Sequence, residues 1–362
     1  MNLNLSFLQF LTDLMNYAGK PSSQPEASAV PVPAPSPVYA AATPVVPAAS
    51  LPAATTPVVT ASPEAQVPRP AGRTFFGGQG RDVLVTGAGD DVMDGGMGND
   101  VLDAGGGHNF VHGGMGNDKL TVGDGNNEVN GGMGNDTLVA GHGRNRIDAG
   151  MGNDIVTAGN GGNQVDAGMG NDRVTTGSGN DTLVGGMGND WLSAGAGDDT
   201  YRFEAAFGED VIANRDAGAS VDRVEFSASS GIQAQQLWFR RDGADLVVDA
   251  IAAKDPGQGG VTGINGMVFS NGNWFGSNTS GQLAGNTVQQ REGSLTLRNW
   301  YTDPASQVDV FQDASGRTLQ RGQVDGLVSA MAGFGGVPAN LSSLSGSQRQ
   351  QLEVVIAQNW AA

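Results

Sequence analysis

Evenly spaced carboxylates and amides are the residues of this chain best suited to chemistry. Between residues 77 and 202 an Asp or Asn recurs every nine positions, with glycines four and two residues before it. Carboxylate and carbonyl oxygens that lie close together suit a hard cation with six to eight oxygen ligands, which favours calcium over magnesium or zinc. One set, 18 residues apart, is entirely acidic: Asp82, Asp100, Asp118, Asp136, Asp154, Asp172 and Asp190. The alternate set is mixed: Asp91, Asn109, Asn127, Asn145, Asn163, Asp181 and Asp199.

Short strands joined by glycine turns would position these side chains. Fourteen nonapeptides follow one another from Gly77 to Arg202 without an insertion or deletion. Paired glycines allow tight turns that aim carbonyl oxygens at a shared point, because only glycine adopts left-handed angles freely. The eighth residue of each unit is apolar, from Leu84 to Tyr201. Since strand side chains alternate, we expect one inward-facing side chain per unit. Such nonapeptides are the signature of a parallel β-roll that binds calcium in its turns.

The block resembles the RTX (repeats-in-toxin) family of bacterial secreted proteins. In that family each ion lies between successive turns of one edge and takes an Asp from each turn. The resemblance therefore implies about six calcium ions on the acidic edge and about one on the other, between Asp181 and Asp199. The mostly Asn edge would be nearly metal-free, although neutral drift of Asp to Asn would leave the same pattern. The expected carbonyl ligands are those of Gly78, Gly80, Gly96, Gly98, Gly114, Gly116, Gly132, Gly134, Gly150, Gly152, Gly168, Gly170, Gly186 and Gly188.

The repeat block cannot be held together by its apolar residues alone. One inward side chain per nine residues gives an apolar interior too small to offset the conformational entropy that the block loses on folding. The block also holds eighteen acidic residues against six basic ones, so it repels itself without a cation. We therefore expect the roll to fold only when calcium binds, rather than to bind calcium after it has folded.

The chain divides into five segments by composition. The spacing of Phe7, Phe10, Leu11 and Leu14 predicts an amphipathic helix over residues 1–20. Residues 21–72 contain thirteen of the sixteen prolines, which predicts a disordered linker. We expect the roll over residues 73–203, a β-rich cap over residues 204–313, and a helical region over residues 314–362. The predicted fold class is all-β, and no segment is long and apolar enough to span a membrane.

The C-terminal segments carry their own patterns. Two strand-like runs joined through Asp242-Gly243 predict a β-hairpin, and the region resembles the domain that commonly follows RTX repeats and caps them. Asp255–Gln290 is rich in Gly, Asn and Ser, and we interpret it as an insertion or mobile loop. The last fifty residues contain two helical patterns that resemble the uncleaved signals of type I secretion substrates. They could equally be helices of the cap.

The sequence favours a secreted, non-enzymatic calcium-binding protein. The net charge of −18 disfavours nucleic acid as a partner, and cysteine is absent, as is usual for RTX proteins. His108 and His112 have the spacing of a zinc-protease motif but lack its Glu, and no Gly-x-Ser-x-Gly elbow is present. The resemblance implies a type I ABC transporter as partner of the C-terminal region.

Two alternative functions remain open at this point. The first is a small adhesin or biofilm-matrix protein that binds a cell-surface or matrix partner through its N-terminal helix or through a row of methionines at position three. The second is an ice-binding β-roll, although Met stands where such rolls carry Thr. The methionines are Met97, Met115, Met133, Met151, Met169 and Met187.

Overall fold

The repeats form a parallel β-roll in which successive strands alternate between two sheets. The computed structural model describes residues 71–216, 220–252, 268–270, 273–275 and 291–361. The helix predicted for residues 1–20, nearly all of the linker at 21–72, and most of the loop at 255–290 lie outside the described residues. Each strand pairs with the strand 18 residues further along, as in Val111 with Val129. The period of two nonapeptides per turn is therefore confirmed.

The first sheet contains eleven strands, in the order β1-β3-β5-β7-β9-β11-β13-β15-β17-β23-β24. Its pairs are parallel except the last. The strands are β1 (Thr74–Gln79), β3 (Val92–Met97), β5 (Phe110–Met115), β7 (Glu128–Met133), β9 (Arg146–Met151), β11 (Gln164–Asp166), β13 (Thr182–Val184), β15 (Thr200–Phe203), β17 (Arg223–Phe226), β23 (Val310–Gln312) and β24 (Thr318–Gln320).

The second sheet also contains eleven strands, in the order β18-β19-β22-β16-β14-β12-β10-β8-β6-β4-β2. The strands are β2 (Val83–Val85), β4 (Val101–Asp103), β6 (Lys119–Val122), β8 (Thr137–Ala140), β10 (Ile155–Ala158), β12 (Arg173–Thr175), β14 (Trp191–Ser193), β16 (Gly208–Ile212), β18 (Leu237–Asp242), β19 (Asp245–Ile251) and β22 (Arg291–Leu297). A separate antiparallel pair is formed by β20 (Val268–Ser270) and β21 (Asn273–Phe275).

The interior of the roll has two columns of side chains rather than the single one expected. Position eight is buried as predicted, from Met93 through Tyr201. The first residue of each unit from Gly95 onward also points inward, because it lies two residues beyond position eight of the preceding unit and so on the same face. On one side of the roll these residues are Ala104, Val122, Ala140, Ala158, Thr176 and Ala194, and on the other they include Ala149 and Ala167, all of them buried. The interior is therefore better filled than one side chain per unit would allow, but mostly with small residues.

Both sheets continue past the last repeat without interruption. Strand β16 pairs in parallel with β14, and β17 pairs in parallel with β15. Strands β22 and β23 then add one further parallel layer to each sheet. The predicted boundary at residue 203/204 thus lies inside continuous sheets, and the roll passes directly into the C-terminal region.

The C-terminal region closes the open end of the roll with a hairpin and two helices. Strands β18 and β19 are antiparallel and are joined by Gly243 and Ala244. Helices α1 (Val324–Ala332) and α2 (Gly346–Asn359) lie where the apolar patterns predicted helices. Both contribute to the buried core, for example through Leu327 and Ile356. Among the described residues of this region lie four short 3₁₀ segments: Ala234–Gln236, Pro304–Ser306, Arg321–Gln323 and Leu341–Ser343. Across the described residues, no helix has the length and apolar character needed to cross a membrane.

Candidate metal sites along the roll

The acidic edge brings its aspartates into one continuous buried column. The backbone N–H of Asp100 donates to Oδ1 of Asp118 at 2.7 Å, and the N–H of Asp118 donates to Oδ1 of Asp136 at 2.7 Å. The same bond repeats along the whole set, and from Asp100 onward each residue is 1–3 % exposed. One carboxylate oxygen of each Asp from Asp100 to Asp190 therefore accepts a hydrogen bond from the backbone of the preceding turn.

The second carboxylate oxygen of each Asp has no hydrogen-bond partner. Oδ2 is buried and unpartnered in Asp82, Asp100, Asp118, Asp136, Asp154, Asp172 and Asp190. A buried carboxylate oxygen without a donor is strongly unfavourable, so a whole column of them requires a common explanation. A divalent cation between successive turns would satisfy these oxygens, because calcium is coordinated by carboxylate and carbonyl oxygens.

Burial raises the pKa of several of these carboxyl groups. The pKa of Asp136 is raised to about 7, that of Asp154 to about 6 and that of Asp190 to about 6, with loss of hydration as the largest cause. The pKa of Asp172 rises to about 8, and repulsion from Asp190 and Asp154 adds to the effect of burial. The column therefore disfavours its own negative charge and favours a cation that would neutralise it.

The Asn edge shows how the same turn is satisfied without a cation. Nδ2 of Asn127 donates to the carbonyl oxygens of Gly123 at 3.0 Å and Gly125 at 3.2 Å. It also donates to Oδ1 of Asn145 at 2.9 Å. The other three asparagines repeat these contacts, and Asn163 ends the row on Oδ1 of Asp181. The carbonyls at positions two and four thus converge on the position-six side chain on this edge, and the role of the corresponding glycine carbonyls as ligands on the acidic edge stays a prediction.

The remaining aspartates of the second edge fall into two groups. Asp181 and Asp199 are stacked, with the N–H of Asp181 donating to Oδ1 of Asp199 at 2.8 Å, and each has an unpartnered buried Oδ2. Asp91 also has an unpartnered Oδ2 but stands alone, because the next residue of its column is Asn109. The pair that the sequence indicated is therefore adjacent, whereas Asp91 has no acidic neighbour on its column.

Glycine at position four is required by close approach of the backbone. Gly134 has φ of +129°, and a Cβ placed there would lie 2.0 Å from the carbonyl oxygen of Gly116. The preceding and following turns repeat this contact. A side chain at this position would push the turns apart and would move the carbonyls that line the column.

Sequence reasoning missed one member of the acidic column. Asp210 lies beyond the repeats, yet its Oδ1 accepts the N–H of Asp190 at 2.8 Å and its Oδ2 is buried without a partner. Burial and the negative charge of Asp190 raise its pKa to about 9. A two-residue insertion before its unit hides the residue from the nine-residue register. The local signal that could have revealed it is Gly208-Glu209-Asp210-Val211-Ile212, which matches positions four to eight.

The histidines do not gather into a metal site. Nδ1 of His108 accepts the N–H of Asn126, and Nδ1 of His142 accepts the N–H of Asn160. His112 contacts Asn130 on the sheet surface. In the part of the chain that the structure describes, no three His, Cys, Asp or Glu side chains form a metal-binding cluster. The candidate sites of the roll instead offer two carboxylates each, together with backbone carbonyls.

A parallel roll with buried, unpartnered carboxylate oxygens in its glycine turns defines a calcium-binding repeat protein. Residues 76–201 match the RTX calcium-binding nonapeptide repeat family, in overlapping segments at 76–111, 94–129, 112–145, 130–165 and 166–201. Residues 76–201 are thus RTX calcium-binding nonapeptide repeats of the haemolysin type. A search of curated proteins finds no significant match to the chain.

Proposed function

We propose that this chain is a secreted, non-enzymatic protein whose roll folds when calcium binds along its acidic edge. The observation that carries the proposal is the contrast between the two edges. On one edge a buried carboxylate oxygen is left without a donor in every turn. On the other, the Asn amide nitrogen takes the place of a cation and bonds the same pair of glycine carbonyls.

The ligands of each ion would be the Oδ2 atoms of two successive aspartates and the carbonyls of the glycines two and four residues before them. When bound, calcium supplies positive charge and oxygen coordination that the apolar interior cannot replace. The pair Asp181 and Asp199 offers one further site on the second edge. Asn109, Asn127, Asn145 and Asn163 hold their own turns by amide hydrogen bonds, so no ion is needed there.

Export by type I secretion fits this arrangement. The RTX repeats are typical of type I secretion substrates. A roll that lacks calcium carries repelling buried carboxylates and would stay unfolded where calcium is scarce. Millimolar calcium outside the cell would then fold it after passage. The C-terminal helices are the proposed recognition element for the ABC transporter.

A calcium titration followed by circular dichroism tests the folding proposal. Residues 73–362 should show little β-structure in EDTA and should gain it cooperatively as calcium is added, whereas magnesium at the same concentration should have a much smaller effect. Full β-structure in chelator would contradict the proposal. Secretion is tested separately, by comparing export of the full chain with export of a variant that lacks residues 314–362. Equal export of the two would remove the proposed role of the C-terminal region.

A further inference from the structure

The acidic column continues into a unit that lies outside the family match. Gly208 has φ of +85°, and a Cβ there would lie 1.8 Å from the carbonyl oxygen of Gly188, the same approach that the repeats show. Ala206 occupies the place of the position-two glycine and still has φ of +60°. An L residue adopts this conformation at a cost, so surrounding contacts must maintain the turn. Residues 205–213 therefore preserve the shape of a calcium turn although their sequence has diverged.

Asp210 is placed as the last ligand of the column. It is 1 % exposed, its Oδ1 accepts the N–H of Asp190, and its Oδ2 has no partner. On the next strand its neighbour is Leu295, which has no oxygen to offer in its side chain. The eight aspartates from Asp82 to Asp210 thus enclose seven gaps, one more than the repeats alone provide.

The strand that carries Asp210 also carries the C-terminal region. It pairs on one side with the last repeat strand of its sheet and on the other with β22. Phe207, three residues before Asp210, packs against Phe203 at 5.0 Å and Phe226 at 6.0 Å between ring centroids. Gly293 leaves room for the Phe207 ring, since a Cβ there would lie 2.4 Å from it. One short segment of chain thus carries both a side of the gap between Asp190 and Asp210 and a ring of the C-terminal core.

We propose that Asp190 and Asp210 bind a further calcium ion that joins the last repeat turn to the C-terminal region and links the folding of that region to calcium. This inference rests on the proposed function of the repeats. Without a cation, two buried carboxylates face each other where β14 and β16 must pair. With one, the first strand of the C-terminal region is fixed to the roll.

Three single substitutions separate this site from the others. D210N removes the last carboxylate of the column, and D82N removes the first, so each affects a single gap. D222N is the matched control on the other edge: Oδ1 of Asp222 accepts the N–H of Asp199 at 3.1 Å, as Oδ1 of Asp210 accepts that of Asp190, but its Oδ2 already accepts Nδ2 of Asn214 at 2.7 Å. Bound calcium is counted by equilibrium dialysis of the full chain. Folding of the C-terminal region is followed by tryptophan fluorescence, since Trp238, Trp300 and Trp360 are all buried there.

D210N should bind one ion fewer than the wild type, and its fluorescence transition should depend less steeply on calcium concentration. D82N should also lose one ion but should keep the wild-type fluorescence transition. D222N should lose none. Wild-type calcium binding by D210N, or a D210N transition as steep as that of the wild type, would overturn the proposal.

A second measurement does not depend on the folding of any variant. Anomalous diffraction from calcium-grown crystals of the wild type should show a peak between Asp190 and Asp210. Peaks in the gaps of the repeats with none at Asp190 and Asp210 would refute this inference alone. A wild type that binds no calcium anywhere would refute the proposed function itself.

Discussion

Replacing one aspartate in the middle of the acidic column should have opposite effects with and without calcium. Asp136 faces Asp118 on one side and Asp154 on the other, so D136N affects two proposed sites. If each site is filled at tenfold above its Kd, each contributes about 1.4 kcal/mol. In calcium the variant should therefore lose about 3 kcal/mol, which lowers Tm by about 5–10 °C.

In chelator the same substitution should stabilise the folded form. It removes a carboxyl group whose pKa is raised to about 7 by burial, and each pKa unit corresponds to about 1.4 kcal/mol. It also supplies an amide that can donate to Gly132 and Gly134, as Asn127 donates to Gly123 and Gly125. We expect a gain of about 2–4 kcal/mol at pH 8.

The assay is circular dichroism, by thermal unfolding in calcium and by titration with trimethylamine oxide in EDTA. The osmolyte favours burial and allows the metal-free chain to fold. D136N should melt earlier in calcium and should need less osmolyte in EDTA. The matched control on the opposite edge is N127D, which breaks the hydrogen bonds to the carbonyls of Gly123 and Gly125. Because no acidic residue directly precedes or follows position 127 in its column, N127D should lower the free energy of unfolding by about 2–4 kcal/mol both in calcium and in EDTA. If D136N destabilises the fold in EDTA as well, the interpretation of the unpartnered oxygens is wrong.

Three further predictions follow from the same geometry. In EDTA the roll should gain stability as pH falls from 8 to 5, because the folded-state pKa values of Asp154 and Asp172, about 6 and about 8, lie above the unfolded value of 3.8. The stability gained by protonation is lost as pH rises through these pKa values. The measurement is the midpoint of the osmolyte titration, and a midpoint independent of pH would count against the prediction. Gly134→Ala should lower the free energy of unfolding by more than about 2 kcal/mol. Gly231→Ala should lower it by about 1 kcal/mol, because Gly231 has φ of +67° but no atom within 4 Å of the added Cβ. Similar chemical denaturation curves for the two variants would refute the argument from close approach. Leu327→Ala should lower stability in saturating calcium by about 2–5 kcal/mol through loss of core packing, without changing the number of bound ions in dialysis.

Much of the repeat region could be predicted from the sequence because its signals are local and periodic. Each unit repeats its glycine pair, its position-six residue and its apolar position eight at a fixed spacing. The fold, the glycine turns and the stacked carboxylates can therefore be predicted from a single unit. The second inward column at Ala104 and its equivalents was missed, because small residues give little hydrophobic contrast. Its existence depends on how long each strand runs past position nine.

The end of the roll could not be predicted for a different reason. A two-residue insertion before residue 205 moves Asp210 out of the nine-residue register, and only the pairing of β14 with β16 restores it to the column. The resemblance to the RTX family implied a nearly metal-free Asn edge, and that expectation stays a prediction. The physical cause, an amide that bonds two glycine carbonyls at once, requires coordinates of both the turn and the side chain.

Anomalous diffraction from crystals grown in calcium locates each ion on each edge of the roll. We expect a continuous row of peaks between the aspartates from Asp82 to Asp210 and none between Asn109 and Asn163. Equal occupancy of both edges, or an acidic edge without ions, would contradict this expectation.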